Sequence, residues 1–346
     1  APGSLPESSP GHHAQAVPGG SPEGAAQQAP SQCSSAGPAS GARRTVAKGR
    51  SALWRKILLG RDASKVSTRP FSEWEGELNE QNQRVIRADC ERTRADEPFF
   101  RQQEVRNKME AMLTCWCQQT GVRYKQGLNE VLAPFIFLQT EPDGAAPSDD
   151  EVFACFGQFL RRFAPLFESE DFVPLQCAFV FFRRLLLYHF PDLHHLLVDN
   201  GISPEMFCTP WFLTVFANKT PLRITLQLWD RHLERNEPSF FVFLAVAVLG
   251  SSQQAVHACD RSALPEILTT LGISSRSELE RLWSAAEMVH RTTPATFAAR
   301  LRRTVLGIRQ ARKSKSDKEG STGNGRKESQ PELPDERLLE RVEEER

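Results

Sequence analysis

Apolar residues recur at helical spacing along most of this chain, and the alternation typical of β-strands is nearly absent. One segment shows the spacing clearly, with apolar residues at positions i, i+4, i+7, i+8 and i+11: Val105, Met109, Met112, Leu113 and Trp116. These positions share one face of a helix, so the segment predicts an amphipathic helix with that face in the core. Gly121 is suited to end this helix, because glycine readily adopts the left-handed backbone of a C-terminal cap.

Several other helix boundaries can be predicted from capping residues. Ser148 precedes three acidic residues and an apolar stripe, which indicates a helix with a negatively charged first turn. Ser203-Pro204 and Thr293-Pro294 each place a hydroxyl before a proline at the first helical position, so they are predicted to cap two more helices. Asn200-Gly201 suits a helix end. The run from Phe240 to Leu249 is too short to span a bilayer and predicts a buried helix.

Composition divides the chain into three parts. Residues 1–45 are rich in Pro, Gly, Ser, Ala and Gln, and residues 313–346 are charged and low in complexity. Such segments cannot bury enough apolar surface to compensate for the entropy lost on ordering, so both are expected to be disordered tails. Helical patterns fill residues 46–312, which we predict to form a single all-α domain.

Charge, cysteine content and missing motifs exclude several classes of function. The chain has 43 Lys and Arg against 43 Asp and Glu, whereas a nucleic-acid-binding protein needs a basic excess. Cys115 and Cys117 have no second pair and no nearby histidine at metal-ligand spacing, so no metal site is expected. No signal-peptide pattern is visible at the N-terminus, and a reducing, cytoplasmic compartment fits the scattered cysteines. The G-x-x-x-x-G-K-[ST] phosphate loop is missing, so the chain is not expected to bind GTP by itself.

The first candidate functional motif is Ile86, Asp89 and Arg92, spaced three residues apart. This spacing puts the three side chains on one helical face, and Thr93, Arg94 and Pro98 indicate that the helix ends soon after Arg92. The guanidinium would then project from the end of a helix. An ordinary surface Asp–Arg pair, worth about 0.2–0.5 kcal/mol, is the alternative interpretation of the same residues.

The second motif is Tyr124-Lys125-Gln126-Gly127, in the connection between the helix that ends near Gly121 and one predicted to start near Leu128. A carboxamide such as that of Gln126 can accept a hydrogen bond from water while donating another to a phosphate oxygen. The alternative interpretation is a polar loop residue beside a routine turn glycine.

Together, in this order, the two motifs resemble the Ile-x-x-Asp-x-x-Arg and Tyr-x-Gln-Gly signatures of the TBC (Tre-2/Bub2/Cdc16) family, the GTPase-activating proteins of Rab GTPases. The resemblance extends to Arg50-Ser51-Ala52-Leu53-Trp54, to the segment from Pro210 to Ala217, and to Leu228-Trp229-Asp230. One departure is that Thr45-Val46-Ala47-Lys48-Gly49 stands where the family usually has Gly-Ile-Pro before the opening arginine. That departure bears on the start of the first helix and on any nucleotide-side role of Arg50.

The resemblance implies that Arg92 and Gln126 are catalytic residues supplied in trans to GTP held by a Rab-family small GTPase, in the regulation of vesicle traffic. Asp89 would orient Arg92, Tyr124 would pack beneath the loop, and Gly127 would allow close backbone approach. The remaining supporting residues are Asn129, which would hold the loop, and Arg50. No cofactor of its own is implied, since the partner would carry GTP and Mg²⁺. The alternative is a catalytically silent TBC-fold scaffold that binds a Rab without accelerating hydrolysis.

The tails carry expectations of their own. We expect residues 46–312 to contain the whole activity, because the tails lack apolar residues that could join the core. The basic stretch from Arg309 to Lys318 could add weak attraction to an anionic membrane surface, about 1 kcal/mol per charge, and so recruit the protein peripherally to endomembranes. The acidic stretch that follows would oppose this attraction, and a solvated linker is the alternative.

Overall fold

The computed structural model describes residues 49–60, 69–141, 146–167 and 173–304. Within these ranges the chain forms α-helices joined by short 3₁₀ turns and contains no β-strand, so the predicted all-α fold is confirmed. The predicted tails, 1–45 and 313–346, lie outside the described residues. In chain order the helices are α1 Gly49–Leu58, α2 Gln83–Arg92, α3 Gln103–Thr120, α4 Leu128–Phe137, α5 Asp149–Phe163, α6 Val173–His189, α7 Pro191–Asp199, α8 Glu205–Leu213, α9 Leu222–Arg235, α10 Phe240–Ser251, α11 Gln253–Ala258, α12 Leu264–Thr270, α13 Arg276–Thr292 and α14 295–304.

The boundaries predicted from local chemistry are confirmed at three helices. Gly121 ends α3 in left-handed conformation with φ +67°, and its N–H donates to the carbonyl of Cys117. Ser148 and Glu151 form a capping box at the start of α5, in which each side chain accepts the other residue's backbone N–H. Helix α7 ends at Asp199, and Gly201 follows it with φ +65°.

The two predicted hydroxyl caps before proline are wrong in their side-chain contacts. Ser203 donates to the carboxylate of Glu205 at 2.6 Å, and its hydroxyl does not cap α8. Thr293 donates to the carbonyl of Val289 at 2.7 Å, at the end of α13, and does not cap the following helix. A hydroxyl can bond to several nearby groups, so its position before a proline does not fix which partner it takes.

Two helices lie at the centre of the core. Every residue of α10 from Phe240 to Leu249 is buried, as predicted, and the helix packs against α6, α8 and α13. In the other half α4 packs between α2, α3, α5 and α9. The aromatic rings beside it lie close together, with 4.2 Å between the ring centroids of Phe159 and Trp229 and 5.6 Å between those of Phe135 and Trp229. The packing holds α4 firmly, and with it the loop that precedes α4.

The lengths and apolar character of the helices also bear on membrane insertion. In the ranges that the structure describes, no helix is both long enough and apolar enough to cross a bilayer.

His232 of α9 should make the fold sensitive to acid. Its side chain is buried against Phe163, and burial, with a smaller contribution from Arg235, lowers its pKa to about 3. In the unfolded chain the same histidine binds a proton near pH 6.5. The contribution of neutral His232 to the unfolding free energy is therefore fully present above about pH 6.5, and it is lost as the pH falls towards 3, by up to about 5 kcal/mol.

We therefore expect His232→Leu to lose less unfolding free energy than the wild type when the pH falls from about 7 to about 4. Urea unfolding at several pH values measures this difference. His257→Leu, at an exposed histidine, is the matched control and should follow the wild-type pH profile. Equal acid losses in wild type and His232→Leu would contradict the assignment.

Candidate functional site

Helix α2 ends at Arg92, as the sequence predicts, and presents its guanidinium to solvent. The Arg92 side chain is 59% exposed, whereas its ion-pair partner Asp89 is fully buried. Nη2 of Arg92 donates to Oδ1 of Asp89, and the other guanidinium nitrogens make no hydrogen bond to another described residue. The N–H of Thr93 closes the helix by donating to the carbonyl of Asp89 at 3.0 Å. A buried carboxylate thus holds one edge of an exposed guanidinium.

Tyr124 connects Asp89 to the second motif. Its hydroxyl oxygen lies 2.7 Å from Oδ2 of Asp89 and 3.2 Å from Oδ1 of Asn129. A hydroxyl has a single proton, so Tyr124 donates to the closer and charged acceptor, Asp89. Burial, reinforced by this hydrogen bond, raises the pKa of Tyr124, which keeps the phenol protonated as a donor.

Asn129 closes the connection between the two motifs. Its Oδ1 accepts from the N–H of Gly127 at 3.0 Å, and its Nδ2 donates to Oγ1 of Thr93 at 2.8 Å. Thr93 in turn donates to the carbonyl of Asp89 at 2.6 Å. We call the five residues joined in this way the support network: Asp89, Thr93, Tyr124, Gly127 and Asn129. All five are buried.

Gln126 lies on the loop that leads into α4, next to the support network. Its side chain is exposed and makes no hydrogen bond to another described residue. On one side of it, Nζ of Lys125 donates to the carbonyl of Phe167 at 2.9 Å. On the other side, Gly127 caps α4 with φ +107°. The loop is therefore fixed at both neighbours of Gln126, while the carboxamide itself is free to meet a ligand.

Gly127 should be hard to replace. A Cβ at this position would lie 3.1 Å from Cγ2 of Thr214 and 3.4 Å from Cζ of Phe167, and a φ of +107° is strained for any other residue. Gly127→Ala is expected to lower the unfolding free energy by at least about 2 kcal/mol, from backbone strain and crowding together.

The matched control for this substitution is Gly121→Ala. Gly121 also has positive φ, but a Cβ added there would meet no atom within 4 Å. Only left-handed strain of about 1 kcal/mol is expected there. Urea unfolding of the two variants compares these costs, and equal losses would show that crowding against Thr214 has no effect.

Arg50 is placed in a different part of the fold. Its Nε lies 3.0 Å from both carboxylate oxygens of Asp230 on α9, and Nη1 pairs with Glu141. Trp54 donates to the same Asp230 carboxylate at 2.7 Å. Arg50 thereby ties α1 to α9, and none of these contacts joins it to the support network.

The structure adds three residues to the site that the sequence had not assigned to it: Thr93 in the support network, and Arg94 and Glu130 beside it. Arg94 donates from Nη1 to the carbonyl of Thr220 at 2.8 Å and from Nη2 to the carbonyl of Ala217. Its Nε lies 3.0 Å from Oε2 of Glu130, within ion-pair distance but without hydrogen-bond alignment. Arg94 lies two positions after the last residue of the first motif, but its carbonyl partners lie more than 120 positions further along the chain. No local pattern could have indicated them.

The cysteine pair shows no sign of metal binding. Burial raises the pKa of Cys115 to about 11 and that of Cys117 to about 12, which disfavours the thiolate form that a metal requires. Among the described residues, no three His, Cys, Asp or Glu side chains are arranged to hold a metal ion.

Comparison with known proteins places the chain in a family. The model of the Rab-GTPase-TBC domain matches residues 48–257, which is more than half of the sequence. The chain belongs to the Rab-GTPase-TBC family. Both candidate motifs and the whole support network fall inside the matched Rab-GTPase-TBC region.

The curated relatives with this domain are much longer proteins. The human (Homo sapiens) TBC domain-containing protein kinase-like protein is 28% identical over 168 residues, covering 48% of this chain and 18% of that protein. The GTPase-activating protein GYP5 of Saccharomyces cerevisiae is 28% identical over 150 residues, covering 42% of this chain and 15% of that protein. The aligned part of the chain thus spans about a fifth or less of the length of these relatives.

Solved structures agree on the Rab-GTPase-TBC fold. The crystal structure of the Ypt/Rab-GAP domain of Gyp1p superposes with a TM-score of 0.56 at 19% identity, covering 70% of this chain and 82% of that one. The Chlamydomonas flagellar RabGAP TBC domain gives a TM-score of 0.51 at 14% identity, covering 68% of this chain and 78% of that one. At these identities the likeness concerns the fold alone.

Proposed function

We propose that this protein is a GTPase-activating protein that accelerates GTP hydrolysis on a Rab-family small GTPase, and so regulates vesicle traffic. One observation carries the proposal: exposed Arg92 and exposed Gln126 are joined through a single buried support network. A guanidinium and a carboxamide held in this way can act on a nucleotide that another protein presents. The partner supplies GTP and Mg²⁺.

Arg92 is proposed to stabilise the charge that develops on the transferred phosphoryl group. A planar guanidinium can place two N–H donors on phosphate oxygens and stays charged at any cellular pH. Asp89 holds one edge of the group, which reduces the entropy lost when the other edge binds phosphate. An arginine in this role contributes about 10³–10⁵ in rate, or about 4–7 kcal/mol of the barrier.

Gln126 is proposed to orient the attacking water. Its carbonyl oxygen would accept from that water while its amide donates to a γ-phosphate oxygen, a role that glutamine side chains of GTPases themselves perform. Its place before α4 adds a favourable electrostatic effect, because the positive end of the helix dipole faces the developing negative charge.

Single-turnover GTP hydrolysis across a panel of Rab GTPases tests this function. We expect the full chain to accelerate hydrolysis on at least one Rab by about 10³ or more, and to hydrolyse no GTP without a Rab. Binding to a Rab without acceleration would support the alternative of a catalytically silent scaffold. If no Rab is either bound or activated, the proposal fails.

A further inference from the structure

Strained backbone is concentrated around the candidate site. The described non-glycine residues with positive φ are Arg94 at +48°, Val215 at +47°, Phe216 at +65° and Asn236 at +53°. Asn236 is the C-terminal cap of α9, where asparagine is well tolerated. The other three lie on two turns that meet beside the support network. Such residues cost about 1–3 kcal/mol each, and a β-branched valine is especially unfavourable, so their surroundings must hold them in place.

The turn that contains Val215 and Phe216 is anchored to the core. Trp229 donates to the carbonyl of Val215 at 3.0 Å, and the N–H of Phe216 donates to the carbonyl of Trp211 at 2.9 Å. The ring of Phe216 is fully buried and stacks on that of Trp211, with 5.6 Å between centroids. Thr214, at the start of this turn, is the nearer of the two residues that a Cβ on Gly127 would crowd. These contacts hold the turn rigidly beside the loop of Gln126, and we call its residues 214–216 the platform.

Arg94 attaches the Arg92 side of the site to that platform. Its guanidinium donates to the carbonyls of Ala217 and Thr220, the first residue of the 3₁₀ turn Ala217–Lys219 and the residue that follows this turn, which continues the platform. The same guanidinium faces Glu130 in the first turn of α4, and both side chains are largely buried, 10% and 15% exposed. One side chain thus connects the turn after α2, the start of α4 and the turn after α8.

We infer that Arg94 is a positioning residue, which fixes the turn directly after Arg92 against the platform and α4 and so sets the position of Arg92 relative to Gln126. This inference rests on the proposed function. An arginine is needed because only a planar fork can reach two carbonyls and a carboxylate at once, and lysine offers a single charged point.

Glu130 is a second reason why a positively charged side chain is needed at Arg94. Burial raises the pKa of Glu130, and the opposite charge of Arg94 offsets only part of that rise. Without Arg94 the carboxylate would be left buried and uncompensated, which destabilises the start of α4.

The experiment compares Arg94→Lys with wild type in the full chain. Single-turnover GTP hydrolysis is measured at increasing protein concentration, which separates the maximal rate from the concentration for half-saturation. Hydrogen exchange is measured by mass spectrometry on peptides covering 122–129 and 212–222. We expect the maximal rate to fall at least about tenfold with half-saturation within about threefold, and exchange to become faster in both peptides.

Arg101→Lys is the matched control. Arg101 lies on the same connection after α2 and also donates to backbone carbonyls, those of Ala95 and Asp96, but only within its own segment. Arg101→Lys should change neither the maximal rate of GTP hydrolysis nor the hydrogen exchange of the two peptides. The double variant Arg94→Gln with Glu130→Gln removes both buried charges and should reproduce the effects of Arg94→Lys, even if the single variant is unstable.

Each other outcome overturns the inference. An unchanged maximal rate or unchanged exchange would show that Arg94 does not position the site, and a change confined to half-saturation would make it a partner contact. Unfolding of both variants would show that Arg94 is needed for the fold as a whole. If wild type activates no Rab, the proposed function fails on that result alone, and the exchange measurement then decides whether the attachment to the platform exists.

Discussion

Arg92→Ala is expected to abolish activation, with a loss of about 10³-fold or more in the single-turnover rate and no change in fold. Arg92→Lys should be nearly as severe. The reason is that one nitrogen of Arg92 already donates to buried Asp89. Only a planar group with further donors can bind phosphate oxygens at the same time. Because the side chain is exposed and lies at the last residue of α2, its removal takes away no core packing, and buried Asp89 keeps its hydrogen bond from Tyr124.

Arg84→Ala is the matched control for this prediction. Arg84 is an exposed arginine on the same helix, outside the support network, and its loss should leave the rate close to wild type. Urea unfolding of all three variants confirms that they are folded. Activation within about threefold of wild type for Arg92→Ala or Arg92→Lys would contradict the role proposed for this guanidinium.

The second large effect is expected at Gln126. If its carboxamide replaces the glutamine of the GTPase, a Rab whose own glutamine is changed to alanine should still be strongly stimulated by the wild-type protein. Gln126→Ala should then lose stimulation on both forms of the Rab, by about 10²-fold or more, because a group that positions water in the transition state is missing. Single-turnover hydrolysis of the four combinations measures this.

Gln254→Ala, at an exposed glutamine on α11, serves as the control and should have no effect. The opposite pattern would point to an arginine-only mechanism: no stimulation of the altered Rab, with Gln126→Ala harmless. In that case the loop before α4 would serve binding instead of catalysis.

Local signals in the sequence predicted the parts of the fold that depend on neighbouring residues. The ends of α2 and α3, the capping box at Ser148 and the buried helix α10 all follow from spacing, glycine or apolar composition within a few positions. The motifs likewise identified Asp89 and Tyr124, which the structure brings together at 2.7 Å.

Contacts between distant segments could not be predicted in the same way. The partners of Arg94 depend on how the turn after α8 lies against α4, and Val215 carries no sequence feature that predicts a left-handed backbone. The hydroxyls of Ser203 and Thr293 do not act as caps for a different reason. Each hydroxyl bonds to a different local group, the Glu205 carboxylate or the Val289 carbonyl, and its position before a proline does not determine which neighbour it takes.

The support network has a consequence for how such a protein can diverge. Arg92 and Gln126 stand on the surface, whereas the residues that hold them are buried and bond chiefly to one another. Under the proposed function, surface substitutions around the two side chains would alter which GTPase is recognised without moving the groups proposed to act on its nucleotide. The residues that would select the partner and those that hold the proposed catalytic groups would then be separate sets, so that a related protein could change the first set while keeping the second.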